Sequence, residues 1–331
     1  MEAKINIVIP SIQLSDELIY CLKKLNNQNY KNFFVTVVLD YQNNRKLPKL
    51  NFKLNILVSG GKNMSFKRNL GVRKYKSNIV AFLDSDAYPN NNWLKFANIY
   101  LKNKNKKRTI IGGPSIPFPN QSHEELLCHY AKRSFYLTGY LNFRKYKSKS
   151  RYCDWLESCN MFIKRDLYLK HLGMNNNIYL GEDKEFFERV KKKDVKIKAF
   201  YTPKLFIYHK ERKAKKFLLQ RMVFGSDLFN IIKFGNTIRS YQPFLPALVM
   251  FTFLFIFFTE FELIKKSTSL IIYTLLIQLL IFIDVKKYLK KPADIFYTII
   301  LINFGNVAYV IGNMIAIVGA SKLLNRKIYL K

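Results

Sequence analysis

Residues 78–88 read NIVAFLDSDAY, an apolar run ending in two aspartates one residue apart. Side chains alternate faces along a β-strand, so residues i and i+2 point the same way. Asp84 and Asp86 therefore sit together at the end of a buried strand. Two carboxylates that close repel each other unless something positive lies between them. A hard divalent cation, Mn2+ or Mg2+, held by one or two carboxylates plus substrate phosphates, suits that position. Asp and Ser also favour turns for their own backbone reasons, so the motif alone serves either reading. A second acidic pair, Glu182-Asp183, opens the helical pattern GEDKEFFERV at 181–190. Acidic residues at a helix N-terminus are also ordinary capping. His209 stands alone, and a lone histidine suits an ordinary structural role as well as a chemical one.

The elements that must position these residues alternate in type. INIVIP (5–10), FFVTVVL (33–39), LNILVSGG (54–61) and residues 78–83 read as strands. Ser15 reads as the N-cap of a helix carrying Leu18, Ile19, Leu22 and Leu25 at helical spacing. A second helix is expected from Arg68 to Tyr75. Further on, the pattern predicts a strand near 157–163, a helix from 183 and a strand at 195–201. Strands separated by helices imply an α/β fold with a mostly parallel sheet covered on both faces. Such sheets bind ligands beyond the carboxyl ends of their strands. Pro10, Asp40, Gly60 and Asp84 all fall at that edge, so one site can use them together. Residues 102–108 and 144–151 are basic and polar, and read as solvated connections.

The 331 residues suffice for one large domain or two modest ones, and their formal net charge is +34. Most of the excess precedes residue 241, since the tail beyond it holds ten basic and four acidic residues. Such a surface attracts nucleic acid or an anionic membrane leaflet. No RNA-binding signature is present and the tail is apolar, so the membrane surface is the expected partner and nucleic acid is not. Cys21, Cys128, Cys153 and Cys159 show neither a CxxC pair nor zinc spacing, and read as buried free thiols in a reducing compartment. The N-terminus lacks a signal-peptide pattern, which keeps residues 1–240 in the cytoplasm.

Three stretches, 243–259, 267–283 and 295–321, contain no charged residue. A bilayer span takes roughly 20 apolar residues, with about 17 as the lower limit. Three such stretches in succession predict a transmembrane domain over 241–331, placing the chain as a multi-pass protein of the cytoplasmic membrane. Gly305, Gly312 and Gly319 recur every seventh residue, as on one close-packing helix face. Lys286, Lys287, Lys290 and Lys291 suggest a cytoplasmic loop, whereas the basic C-terminus would then lie outside, against the usual charge rule. Residues 210–240 carry clustered basic residues and an apolar face of Phe217, Leu218, Met222, Leu228 and Ile232. They read as an interfacial helix, with ordinary packing on the domain as the alternative.

The order of segments resembles a family 2 glycosyltransferase of the GT-A fold. The resemblance covers roughly residues 4–225. It rests on IVIP (7–10), Asp40, Arg68-Asn69-Leu70-Gly71, Asp84-Ser85-Asp86, Ser158-Cys159-Asn160 and Glu182-Asp183. It implies a nucleotide-sugar donor, with Asp86 on the metal and Asp84 near the ribose. It also implies donor contacts from Pro10, Asp40, Lys62, Arg68, Asn69 and Asn160. Asp183 corresponds to the general base of an inverting displacement, with Glu182 as the fallback. His209 aligns with a histidine that some members use as a further metal ligand. The acceptor would be a lipid-linked or cell-envelope glycan. Two features depart from the family. Ser158 stands where glycine is frequent, and Gln220-Arg221-Met222-Val223-Phe224 lacks the Gln-x-x-Arg-Trp of processive synthases, so a single addition is expected.

Other classes fit less well. A sugar-phosphate nucleotidyltransferase calls for a Gly-rich basic loop near the first strand, and SIQLSDEL (11–18) provides none. A basic, non-enzymatic membrane scaffold would tolerate loss of Asp86 and Asp183. Neither GxGxxG nor GxxxxGK[ST] occurs, which disfavours hydride transfer and P-loop chemistry.

Overall fold

A computed structural model describes residues 3–42, 45–102, 109–178, 181–227 and 263–319, with residues 244, 246, 248, 249, 251, 252, 255 and 258. The apolar runs of the first half form β1 (Ile5–Pro10), β2 (Phe33–Leu39), β3 (Lys53–Val58) and β4 (Ile79–Leu83). They pair in parallel, and β1, β2 and β4 are buried throughout. Short strands follow: β5 (Ala87–Pro89), β6 (Thr109–Gly112), β7 (Ser115–Pro117) and β8 (Arg151–Cys153). The last three among the described residues are β9 (Asn160–Lys164), β10 (Lys198–Tyr201) and β11 (Ile207–His209). One eight-stranded sheet runs β3-β2-β1-β4-β9-β6-β10-β8, and β5-β11-β7 make a second of three strands. This is the expected α/β arrangement, a large and mostly parallel sheet.

Two strands of this sheet reverse, β8 at its edge against β10 and β9 within it. β9 runs antiparallel to both β4 and β6, with Asn160 opposite Leu83. The start of β9 therefore lies at the carboxyl end of β4, which brings Ser158 and Cys159 to the ligand edge.

Helix α1 (Asp16–Leu25) begins as read, with the Ser15 hydroxyl accepting from the Leu18 N–H. Helix α2 (Met64–Lys74) starts four residues before the expected Arg68, because the Asn63 side chain caps it. The early start puts Lys67 and Arg68 inside the helix, and both are buried. Gly71 lets α2 approach β1 closely, since a Cβ there would come within 2.6 Å of Val8 Cγ1. Helix α3 (Trp93–Lys102) buries Trp93, Leu94 and Ala97 in the same core as β1 and β4.

The chain divides into two compact units, Met1–Phe118 with Arg144–Lys210, and Pro119–Phe143 with Glu211–Lys331. Residues 119–143, inside the span 1–209 expected to form the glycosyltransferase domain, group with the second unit. The reason is local amphipathicity: α4 (His123–Arg133) turns Leu127, Cys128 and Ala131 into the second unit's core. The short α5 (Phe135–Thr138) follows it. Buried Glu211 adds ion pairs to His129 (2.9 Å) and Lys132 (2.5 Å) on α4. The first unit continues with α6 (Arg165–Lys170) and α7 (Glu182–Lys193).

The second unit also holds α8 (Ala214–Gly225), α9 (Leu263–Lys286) and α10 (Pro292–Ile317). Phe217 on α8, expected on a lipid-facing stripe, is fully enclosed with residues of α4 and α10. A Cβ on Gly312 would meet the Met222 carbonyl at 1.9 Å, and one on Gly225 the Tyr309 carbonyl at 1.9 Å. The expected glycine face is thus spent on α8. The seventh-residue repeat stops short of Gly319, because α10 ends at Ile317 and Gly319 adopts a φ of 76°. Gln278 of α9 and Asn303 of α10 exchange amide hydrogen bonds of 2.9 and 3.2 Å. The opposite stripe of α10, including Phe304, Val307, Ile311 and Met314, is exposed.

Among the described residues, Thr268–Lys286 and Pro292–Ile317 are long and apolar enough to cross a membrane. They overlap the expected segments 267–283 and 295–321. The expected segment 243–259 lies mostly outside the described residues, as do 228–240.

Candidate active site

Asp84 follows β4 directly, and Asp86 precedes β5. β11 pairs with β5 so that His209 lies opposite Ala87, and the Lys210 N–H donates to the Asp86 carbonyl at 3.0 Å. This pairing carries His209 to the Asp-Ser-Asp turn. Its Nε2 lies 3.5 Å from Asp86 Oδ1 and 3.8 Å from Asp84 Oδ2. His209 Nδ1 is 2.8 Å from the Lys210 carbonyl, which can only accept, so Nδ1 is the donor there. That bond orients Nε2 toward the carboxylates, as an outer partner orients a metal-binding imidazole. Adjacent ligands about 2.1 Å from a shared cation stand about 3 Å apart. The spacing found needs only a small contraction to hold a divalent ion, so Asp84, Asp86 and His209 fit Mn2+ or Mg2+.

Cys159 Sγ joins Asp84 and His209, with ligand atoms all within 4.8 Å of one another. Burial, reinforced by the charges of Glu157 and Asp84, pushes this thiol well above its usual range. A protonated thiol adds little for a hard cation, which leaves the oxygen and imidazole donors as its set.

Arg68 organises the acidic residues behind this edge. It is 4% exposed, and it donates from Nη2 to Asp84 Oδ1 at 3.0 Å and from Nη1 to Glu182 Oε1 at 2.7 Å. Burial works against the Asp84 charge, but His209 and Arg68 outweigh it and hold the carboxyl down at about 2. Glu182 also accepts from the Ser158 hydroxyl at 3.4 Å. Glu182 is therefore committed to Arg68. Asp183 differs: Oδ2 accepts the Ser158 N–H at 3.1 Å and Oδ1 its neighbour Lys184 N–H at 2.8 Å. Burial, and next the charge of Glu182, raise its carboxyl to about 7. A carboxyl poised near neutrality is suited to taking a proton.

The remaining expected contacts divide. Asp40, after β2, is paired at 2.5 Å with Lys67, whose Nζ also donates to the Ser11 carbonyl just beyond Pro10 at 2.8 Å. Lys67 carries no local signal of this role, because it becomes helical only through the start of α2 at Met64. Lys62, expected near phosphates, is exposed in the loop before α2. Asn69 is buried, donating to the Met174 carbonyl (2.7 Å) and Asn176 (2.8 Å) and accepting from Tyr168 (2.6 Å). Asn160 is 1% exposed, accepting from Trp93 Nε1 at 2.9 Å and donating to the Leu205 carbonyl at 2.7 Å. Both amides are turned inward to protein partners. Asn160→Ala should cost about 1–3 kcal/mol by leaving buried partners unsatisfied. Thermal denaturation would show a lower melting temperature, with donor KM unchanged.

The connection read as solvated over 144–151 is not so at its start. Arg144 is 7% exposed, and Lys145 bonds Glu157 at 2.9 Å. Against the burial penalty, Lys145 and then Arg144 hold Glu157 at about 2. A basic run looks soluble until a carboxylate twelve residues on is known to fold against it.

Residues 6–156 match the model of glycosyl transferase family 2. The chain carries a family 2 glycosyltransferase domain. The matched stretch supplies Asp40, Arg68, Asp84 and Asp86, while Glu182, Asp183 and His209 lie beyond it. Similar solved structures include the S. aureus TarS, 16% identical, with a TM-score of 0.46 over 74% of this chain and 42% of that one. GalNAc-T7 with UDP, GalNAc and Mn2+ is 12% identical, with a TM-score of 0.48 over 64% and 44%. The chain thus spans less than half the length of these two proteins. The mannosyltransferase PcManGT from Pyrobaculum calidifontis, in complex with GDP-Man and Mn2+, is 13% identical. It covers 96% of this chain and 88% of its own, with a TM-score of 0.55, and supports the GT-A fold of the glycosyltransferase domain. No curated protein sequence matches the chain significantly.

Proposed function

We propose that this chain is a membrane-anchored, metal-dependent, inverting glycosyltransferase that adds one sugar from a nucleotide-sugar donor to a lipid-linked or cell-envelope glycan acceptor. The observation that carries the reading is the meeting of Asp84, Asp86 and His209 beyond the carboxyl end of β4, with both aspartates in the stretch that matches family 2. These three would hold Mn2+ or Mg2+. When bound, that ion supplies positive charge to the diphosphate leaving group.

The chain's own residues do the rest. Asp40, held by Lys67, and the loop after Pro10 would receive the nucleoside. Arg68 keeps Asp84 ionised and Glu182 occupied. Asp183 would take the acceptor hydroxyl proton as that oxygen attacks the anomeric carbon. The new carbon–oxygen bond forms as the sugar–phosphate bond breaks, and the electron pair leaves with the nucleoside diphosphate. One positioned carboxylate suffices for such a displacement, which inverts the anomeric centre.

Membrane anchoring is supported by α9 and α10, whose Ile272, Leu275, Phe304 and Met314 are at least half exposed. Apolar surface of that extent is unfavourable in water and suits lipid. The +34 charge favours an anionic leaflet. A cytoplasmic catalytic domain on a multi-pass anchor is part of this reading, and the positive sign supports its cytoplasmic side.

The test is a donor screen with the full chain in detergent, measuring released nucleoside diphosphate. Turnover should vanish with chelator and return with Mn2+ or Mg2+. Asp86→Ala should lower it by about 100-fold or more, the scale of losing one stabilising group for a developing charge. Unchanged turnover in Asp86→Ala would sink the reading.

A further inference from the structure

The ligand edge holds a second set of metal-binding atoms that sugar transfer does not use. The Asp84 carboxylate, Cys159 Sγ and a His209 ring nitrogen lie within 4.8 Å of one another. Cys159 reaches this position because β9 is reversed, with Asn160 paired to Leu83 at the end of β4. It is a free cysteine, 9% exposed. One thiol, one imidazole and one carboxylate suit a borderline-soft ion better than a hard one. Zinc takes sulfur at about 2.3 Å, nitrogen at about 2.0 Å and oxygen at about 2.1 Å, which sets tetrahedral ligands roughly 3.3–3.6 Å apart. His209 Nε2 and Asp84 Oδ2 are already 3.8 Å apart. The Nδ1 contact to the Lys210 carbonyl provides the outer hydrogen bond that such imidazoles use.

We propose that Asp84, Cys159 and His209 form an inhibitory Zn2+ site that overlaps the hard-cation site and excludes its ion. Binding makes one bond each to sulfur, nitrogen and oxygen, leaves a fourth position to water and releases the thiol proton to solvent. Asp84 and His209 cannot serve both ions at once. Zn2+ therefore acts by competition for ligands and needs no change of fold. The inference goes beyond the proposed function, and its test requires no sugar transfer, so either can fail alone.

The test uses the full chain in detergent, stripped with chelator and titrated with Co2+ as a spectroscopic substitute for Zn2+. One equivalent should produce a thiolate-to-cobalt charge-transfer band, which Zn2+ then abolishes. The band should be absent from Cys159→Ala and Cys159→Ser, and intact in Cys153→Ala. In a second measurement, bound Mn2+ is followed by electron paramagnetic resonance. One equivalent of Zn2+ should release it from the parent chain, whereas Cys159→Ser, still binding Mn2+, should need at least tenfold more. No band in the parent, an undiminished band in Cys159→Ser, or equal release of Mn2+ from both chains would overturn the site.

Discussion

Asp183→Asn should lower turnover by about 10²–10⁴-fold, the usual contribution of a positioned general base. Donor and Mn2+ binding should stay close to the parent, since the carboxyl touches neither Asp84 nor Asp86. The amide keeps the size and can still accept the Ser158 N–H, so the loss belongs to proton transfer. The pH profile separates this from misplacement. With burial and Glu182 holding the carboxyl at about 7, kcat/KM should fall about tenfold per unit below that pH and level off above it. An ordinary aspartate would stay ionised down to about pH 4. The raised value also has a sign in stability. The folded state holds a proton that the unfolded chain releases above about pH 3.9. Stability from this group therefore declines as pH rises from there toward 7. At pH 8, Asp183→Asn should melt above the parent while being nearly inactive, a combination that structural damage does not produce.

Arg68→Ala should cost about 3–5 kcal/mol of stability, the range for breaking a buried ion pair by removing one partner. Arg68 is nearly inaccessible and bridges Asp84 and Glu182. Its loss strands two carboxylates that approach one site from different elements. Arg68→Lys should recover little, because one ammonium lacks the planar fork that reaches both. The cost should depend on pH. Asp84, held at about 2, contributes stability that is fully present above its unfolded value near 3.9 and lost as pH falls through about 2. Denaturant titrations of parent and Arg68→Ala should therefore converge between about pH 4 and 2. A gap that stays constant over that range would mean Arg68 works by packing alone.

The legible parts of the site were those with local signals. Asp84 and Asp86 stand together by strand alternation at a strand end, whereas Asp183, at a helix start that ordinary capping would also explain, was singled out by the resemblance alone. Pro10 and Asp40 follow from the ends of parallel strands. What escaped depended on contacts far away in sequence. Lys67 turns inward only because Asn63 starts α2 early, and Cys159 reaches the site only because β9 reverses. Asn69 and Asn160 belong to recognisable motifs, but their partners Tyr168 and Trp93 make them internal struts. The pairing of Lys145 with Glu157 is tertiary, so a basic stretch passed for a solvated loop. The same limit applies to domain organisation. The apolar face of α4 is readable, but its partners in α8 and α10 come at least eighty residues later.

The most direct measurement is a structure of the full chain with Mn2+ and a nucleoside diphosphate identified by the donor screen. The ion should lie between Asp84, Asp86 and His209, with the diphosphate against it and the nucleoside toward Asp40. Asp183 should face the open space where an acceptor hydroxyl would approach. A nucleotide bound elsewhere, or an ion held by none of these three residues, would contradict the account.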